Sequence, residues 1–325
     1  MGSVPEGPSH VGLARWCWHS LFFDIMRRVK NTTFSPGVRK TRSYKEISSC
    51  QCATMSWYDP SPMQTGTCAL CGTVGKLHDS HFLPKSVYRL LRRSNNGNLS
   101  PVLMTRRITI QSDYQMKQPL LCSACERRFS ENGENYVVPL LNAGRSFPLL
   151  DRLKMALPLY TTATNTAFVC PAVGLSGEQI GYFGLSILWR AAVRGWRTFD
   201  GDATSVTLDP AHLELARGYL AGETAFPEHA LAITATVATD FLSRNTCFVP
   251  SRVTDNPGIV YSLLTKGLYY RFVFGENHPP QMRAISCIGP GPGLIFLNDA
   301  SDKSWEPCAG MMETTVPKGS LAVRS

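Results

Sequence analysis

Two Cys-x-x-Cys pairs, Cys68-Ala69-Leu70-Cys71 and Cys122-Ser123-Ala124-Cys125, constrain this chain more than any other feature of it. A pair at that spacing presents two sulfurs from one turn of backbone. Two such pairs supply the closed tetrahedral sulfur shell that zinc accepts. Gly72 follows the first pair and permits the tight turn of a knuckle. The second pair opens a helix, where the N-terminal dipole favours thiolates. Knuckle, intervening hairpin and helix-borne second pair predict a treble clef around one structural Zn2+ held by Cys68, Cys71, Cys122 and Cys125.

The other seven of the 11 cysteines (Cys17, Cys50, Cys52, Cys170, Cys247, Cys287 and Cys308) are scattered and odd in number. They do not read as a disulfide framework, so a reducing cytoplasm is the expected setting. The best apolar run, Ala230 to Ala238, is too short to cross a bilayer and reads as a buried strand. Hydrophobic residues at 43% and charged residues at 18% are the composition of a chain that buries a core. The formal charge of +9 is unevenly placed. Residues 1–54 carry eight basic and three acidic side chains, residues 55–130 ten and four, and the rest 15 and 17. A polyanion is the natural partner of so basic a first third, with a merely soluble basic surface as the alternative.

The chain divides, on this reading, into a basic leader over 1–54, a cysteine module over 55–138 and an α+β domain over 139–325. The leader fits a transit-peptide-like segment, a disordered stretch, or translation from an upstream start with Met55 or Met63 opening the protein. Within the module, Pro84 suits the first turn of a helix on which Lys85, Arg89, Arg92 and Arg93 form a basic face and Val87, Leu90 and Leu91 an apolar one. Ser94 to Asn98 is a loop. Arg107 to Ile110 and Gln118 to Leu121 read as short strands, and the helix begun at Cys122 is expected to stop at Asn132-Gly133. Ser176 to Gln179 has capping-box spacing. Tyr182, Leu185, Trp189, Ala192 and Trp196 then predict one long amphipathic helix, an aromatic stripe that belongs to a core. Arg190, Arg194 and Arg197 form a second line on it, either a solvated face or an extension of a basic groove. Asp209-Pro210 starts a helix that Gly222 closes. Six β-rich stretches follow (Leu231 to Val237, Thr246 to Val249, Ile259 to Leu263, Tyr269 to Phe274, Arg283 to Ile288, Leu294 to Leu297) and predict an antiparallel sheet. Gly289 to Gly293 is interrupted by proline and does not read as a phosphate loop.

Between the cysteine pairs lies Leu77-His78-Asp79-Ser80-His81-Phe82-Leu83-Pro84. With the cysteines around it, this stretch resembles the HNH endonucleases: C-x-x-C, a strand with D-H or H-H followed by x-x-P, then C-x-x-C. Ser80, His81, Pro84 and Lys85, then Leu121, Cys122, Cys125, Glu126, Arg128 and Phe129, then Asn132, Gly133 and Glu134, are similar to a group of uncharacterised bacterial HNH-like proteins. Tyr182 to Arg190 and Gly222 to Pro227 also resemble that group. The resemblance implies a ββα-metal fold and hydrolysis of DNA, with a role as a bacterial defence effector. It implies His81 as the base that activates water and the position of Ser80 as a metal neighbour. Asp79, His78 and Glu126 are the candidate ligands of a catalytic Mg2+ or Mn2+, with Glu131 or Glu134 as further candidates.

Phosphodiester hydrolysis needs a base for water and a hard cation for the phosphorane and the leaving oxygen, which a neutral imidazole and carboxylate-held Mg2+ can supply. On a strand Asp79 and His81 share one face, His78 and Ser80 the other. Asp79 is then either part of a metal/base pair or the group that orients the imidazole. The mechanism requires His81 and Glu126 to face one solvent-accessible gap. Ser80 stands where the family carries Asp or His, and Glu126 where it carries His. The alternative is a zinc-stabilised nucleic-acid-binding protein without catalysis, in which His81 makes a structural hydrogen bond. Lys85, Arg89, Arg92 and Arg93 would meet DNA phosphates, or are ordinary solvated charges. The C-terminal domain would mediate homo-oligomerisation or receive a regulatory partner. A protein-interaction module with an acidic partner is the third possibility.

Overall fold

The computed structural model describes residues 64–93, 100–105, 107–141, 146–162, 165–201, 203–204, 206–253, 258–298 and 315–319. Contacts divide the chain into Met1–Asp59 and Pro60–Ser325, and every described residue belongs to the second unit. The expected leader, Met55, Met63 and the loop at 94–98 lie outside the described residues.

The chain begins with a hairpin of β1 (Thr65–Thr67) and β2 (Val74–Lys76), then β3 (His78–His81) and helix α1 (Lys85–Arg93). Strands β4 (Val102–Met104), β5 (Ile108–Gln111) and β6 (Lys117–Leu121) lead into α2 (Ser123–Phe129). β3 pairs with β6 antiparallel, with a bulge at His78/Asp79. The helix does not stop at Asn132-Gly133 as the glycine suggested. It passes through a π turn over Ser130–Glu134 into α3 (Asn135–Leu141). Gly133 is small there for another reason: a Cβ on it would lie 3.0 Å from the Phe183 backbone, so two helices touch through it.

Next come α4 (Pro148–Met155), β7 (Tyr160–Thr161), β8 (Asn165–Val169) and α5 (Gly177–Val193). Ser176 caps α5, its hydroxyl accepting from the Gln179 N–H at 3.2 Å. The helix is not amphipathic as expected, being buried without a break from Ile180 to Ala191. It lies between the main sheet, where Tyr270 packs on Gly184, and the π turn, where Phe183 packs on Gly133. Arg190 therefore belongs to no solvated line. It is 2% exposed, pairs with Glu134 at 2.8 Å and sits 4.7 Å from the Phe129 ring centre. Nor does the helix reach Trp196, which lies on the short ladder of β9 (Trp196–Arg197) and β10 (Ala203–Thr204).

Helix α6 (Pro210–Ala221) starts and ends as the sequence predicts. Asp209 accepts from Ala211 N–H at 2.9 Å, and Gly222 closes it at φ +72°. β11 (Leu231–Ala238), α7 (Phe241–Arg244), β12 (Cys247–Val253), β13 (Ile259–Thr265), β14 (Leu268–Phe274), α8 (Pro280–Ala284), β15 (Leu294–Asn298) and β16 (Val316–Pro317) complete the described chain. The main sheet has the order β12-β13-β14-β11-β15-β8-β7. It is mixed rather than antiparallel, because β15 runs parallel to β11. The stretch from Arg283 to Ile288 is not a strand. Pro279 and Pro280 seed α8, which carries the chain from β14 past β11 to β15. The chain is thus a mixed α+β protein. One hydrophobic core runs from Cys68 and Cys125 through Phe129, Phe183 and Trp189 to Tyr270 and Ile295, so the regions expected over 55–138 and 139–325 pack on each other. Among the described residues no helix is long and apolar enough to cross a membrane.

Candidate metal centre and the face beside it

The knuckle is built by its own backbone. Gly72 N–H donates to Cys68 O and Cys68 N–H to Thr73 O, both at 2.9 Å, and Gly72 supplies the left-handed φ of +72°. Ala69 N–H donates to Leu120 O at 3.0 Å, which ties the knuckle to β6. Cys122 stands at the N-cap position of α2 and Cys125 lies one turn on, so β6 and α2 carry the second pair to the first. The four Sγ atoms all lie within 4.8 Å of one another, and Cys71 and Cys122 are 3.8 Å apart. Tetrahedral zinc with Zn–S bonds of about 2.3 Å requires sulfurs about 3.8 Å apart, so the cluster fits such an ion. Cys122 N–H points at Cys68 Sγ from 3.3 Å, a bond that favours a thiolate. The Thr73 hydroxyl, 3.4 Å from Cys71 Sγ, brings that thiol down to about 6, whereas burial pushes Cys68 and Cys125 up. Four cysteines thus form a cluster that can hold a metal ion such as zinc, whose charge would deprotonate the buried pair.

A helix from the region expected over 139–325 reaches the knuckle. Arg217 of α6 donates to Leu70 O inside the knuckle at 2.9 Å and is held by Glu214 and Glu223. The i,i+3 spacing of Glu214 and Arg217 is readable in the sequence. The contact with Leu70, 147 positions away, is not.

The residues assigned to hydrolysis fall on two faces of β3. His78 and Ser80 turn toward α2: His78 Nε2 is 2.7 Å from Ser123 Oγ, and the Ser80 hydroxyl donates to the Glu126 carboxylate. Ser80 is 1% exposed and also accepts from Leu121 N–H at 3.2 Å. Asp79 instead pairs across the ladder with Lys117 at 3.1 Å, and His81 lies opposite Lys117 in register. His81 meets Tyr88 of α1 at 6.0 Å and hydrogen-bonds with Gln115. Burial, then the Lys85 charge, lower its pKa, against the Gln115 bond and the Glu126 charge. The structure therefore brings Ser80, rather than His81 or Asp79, onto Glu126. Among the described residues Asp79, His81 and Glu126 do not join into a second metal-sized group. Glu134 is committed to Arg190, and Glu131 joins no such group.

Helix α1 packs Val87, Tyr88 and Leu90 inward and leaves Lys85 and Arg89 exposed. Arg92, also exposed, pairs with Asp113. The Arg93 side chain lies outside the described residues. A shallow depression of about 350 Å³ runs between α1 and α3, lined by Lys85, Ser86, Arg89, Glu134, Asn135 and Pro139 among others. No family model, curated protein or solved structure matches the chain.

Proposed function

We propose that this protein binds nucleic acid through a treble-clef module stabilised by Zn2+, without a hydrolytic centre of the HNH kind. The observation that sets this reading above hydrolysis is the Ser80–Glu126 contact. It fills with one hydrogen bond the pair of positions that the resemblance assigns to a divalent metal. A buried hydroxyl is a poor ligand for a hard cation, and the carboxylate beside it is already occupied. The exposed Lys85 and Arg89 beside the depression between α1 and α3 suit phosphate oxygens instead.

Binding to labelled DNA should weaken steeply with salt. The double variant Lys85→Ala/Arg89→Ala should flatten the slope on duplex by about 0.9 for each phosphate that is no longer neutralised. An unchanged slope, or no binding at low salt, would remove the reading. Elemental analysis should find about one zinc per chain. Hydrolysis is the second reading, and one observation favours it: the half-buried His81 is held below its ordinary pKa and so is neutral near pH 7, as a general base must be. Cleavage of DNA or RNA with Mg2+ or Mn2+, abolished in His81→Ala with zinc retained, would decide for it.

A further inference from the structure

The sequence leaves Arg194 and Arg197 between a solvated face and an extension of a basic groove, and the tertiary structure sends them to the cysteine module. Helix α5 ends at Val193, and the turn into β9 lays Arg194 against β6 and Arg197 against the connection that precedes it. Arg194 Nη1 donates to Pro119 O at 3.1 Å, and Arg197 Nη1 to Gly201 O at 3.2 Å. Both are exposed, and neither forms an ion pair among the described residues. Main-chain carbonyls orient these guanidiniums without neutralising them.

Tyr114 lies against the same turn. Its hydroxyl donates to Arg197 O at 3.2 Å, and its ring meets Phe199 edge-on at 6.4 Å. Pinned at these two points, the side chain is nevertheless 39% exposed. Its sequence neighbours tie it to the basic face: Asp113 holds Arg92 of α1, Gln115 bonds with His81, and Lys117 stands exposed on β6. Arg197 meets Tyr114 directly, Arg194 meets β6 at Pro119, and Lys117 of the same strand is exposed but paired with Asp79, as Arg92 is with Asp113. Asp200 is turned to Thr105 and Arg107.

A basic helix alone meets any polyanion, but a fixed, exposed ring discriminates. In a duplex every base is stacked on its neighbours, whereas an unpaired base offers a free π-face to an aromatic side chain. We propose that this surface is a track for single-stranded nucleic acid, with Tyr114 stacking a base and Lys117, Arg194 and Arg197 meeting the flanking phosphates. The proposal rests on the nucleic-acid reading above and names the form of nucleic acid that the face takes.

The test is fluorescence anisotropy of the full chain with a labelled oligothymidylate and with a mixed-sequence duplex of equal length. The wild type should prefer the single strand. Tyr114→Ala should weaken that binding about tenfold and leave duplex binding unmoved, whereas Tyr114→Phe should keep most of the affinity. Arg194→Ala/Arg197→Ala should lower the single-strand salt slope by about 0.7 for each phosphate left without its cation. Zinc content and thermal unfolding of each variant separate misfolding from a missing stack. If Tyr114→Ala is folded and binds the single strand like wild type, or loses both forms equally, the track is wrong and the nucleic-acid reading stands. If wild type binds neither form, that reading falls and takes the track with it.

Discussion

Ser80 shows how one side chain sets the chemistry of its neighbours. Its hydroxyl sits between the Glu126 carboxylate and the Leu121 N–H, so it satisfies a buried donor and a half-buried acceptor together. Ser80→Ala would remove the hydroxyl that both groups use, and losing such buried hydrogen bonds costs about 1–3 kcal/mol. Urea unfolding should register a loss of that size. His81, one residue on, makes a pH-dependent contribution. Its folded pKa is depressed, chiefly by burial, so the unfolded chain binds its proton more readily. The contribution is complete above the unfolded value of about 6.5 and is lost as pH falls from there toward the folded pKa. Between pH 7 and pH 5 the wild-type urea midpoint should therefore drop further than that of His81→Gln. Equal drops would mean that the imidazole is solvated.

At the scale of elements, glycine does different work at each junction. Gly72 turns the knuckle at positive φ, Gly133 lets the π turn touch α5, and Gly75 meets nothing within 4 Å. Gly133→Ala would press a methyl group into the Phe183 backbone, which cannot swing aside as a flexible side chain would. A loss of about 1–3 kcal/mol is expected from such overpacking. Gly72→Ala should cost about 1–2 kcal/mol through the left-handed conformation alone. Gly75→Ala, on an open strand, should cost neither. Thermal unfolding of the three variants orders them, and a silent Gly133→Ala would mean that α5 and the π turn are not in firm contact. In sequence Gly133 reads as a helix stop because glycine after an apolar run is the usual C-cap signal. The close approach that explains it belongs to a helix some 50 residues later.

At the scale of the whole molecule, the cysteine cluster and the main sheet are held by one core. Metal loss should therefore be felt far from the sulfurs. With a strong chelator, tryptophan fluorescence, to which the buried Trp189 and Trp196 contribute among the six tryptophans, and far-UV dichroism should fall together, in one transition at a lower temperature. Two separate transitions would make the module an independent domain. Arg217→Ala, which frees the Leu70 carbonyl, should speed metal release to a chromogenic chelator several-fold while α6 stays helical.

The local features were legible because their causes are local. Two turns of backbone bring Cys68 to Cys71 and Cys122 to Cys125, Ser176 and Asp209 cap the helices that follow them, Gly222 ends one, and alternating apolar residues mark β11, β13 and β14. The four-cysteine cluster could be named from spacing alone. What a side chain faces across the fold could not. Helical spacing puts Arg190 in line with Arg194 and Arg197, on a solvated face or a basic groove, and only burial of α5 on every side turns it to Glu134 and Phe129. Strand alternation separates Asp79 and His81 from Ser80 correctly, but it cannot say which pair α2 will meet. The packing of α2 on β3 decides that, by giving Glu126 to Ser80. In the same way the turn after α5 joins Arg197 to Tyr114 and Arg194 to Pro119, some 80 positions earlier. Periodicity records which residues share a face; the partner of that face is set by long-range packing, which a single sequence does not encode in any local pattern.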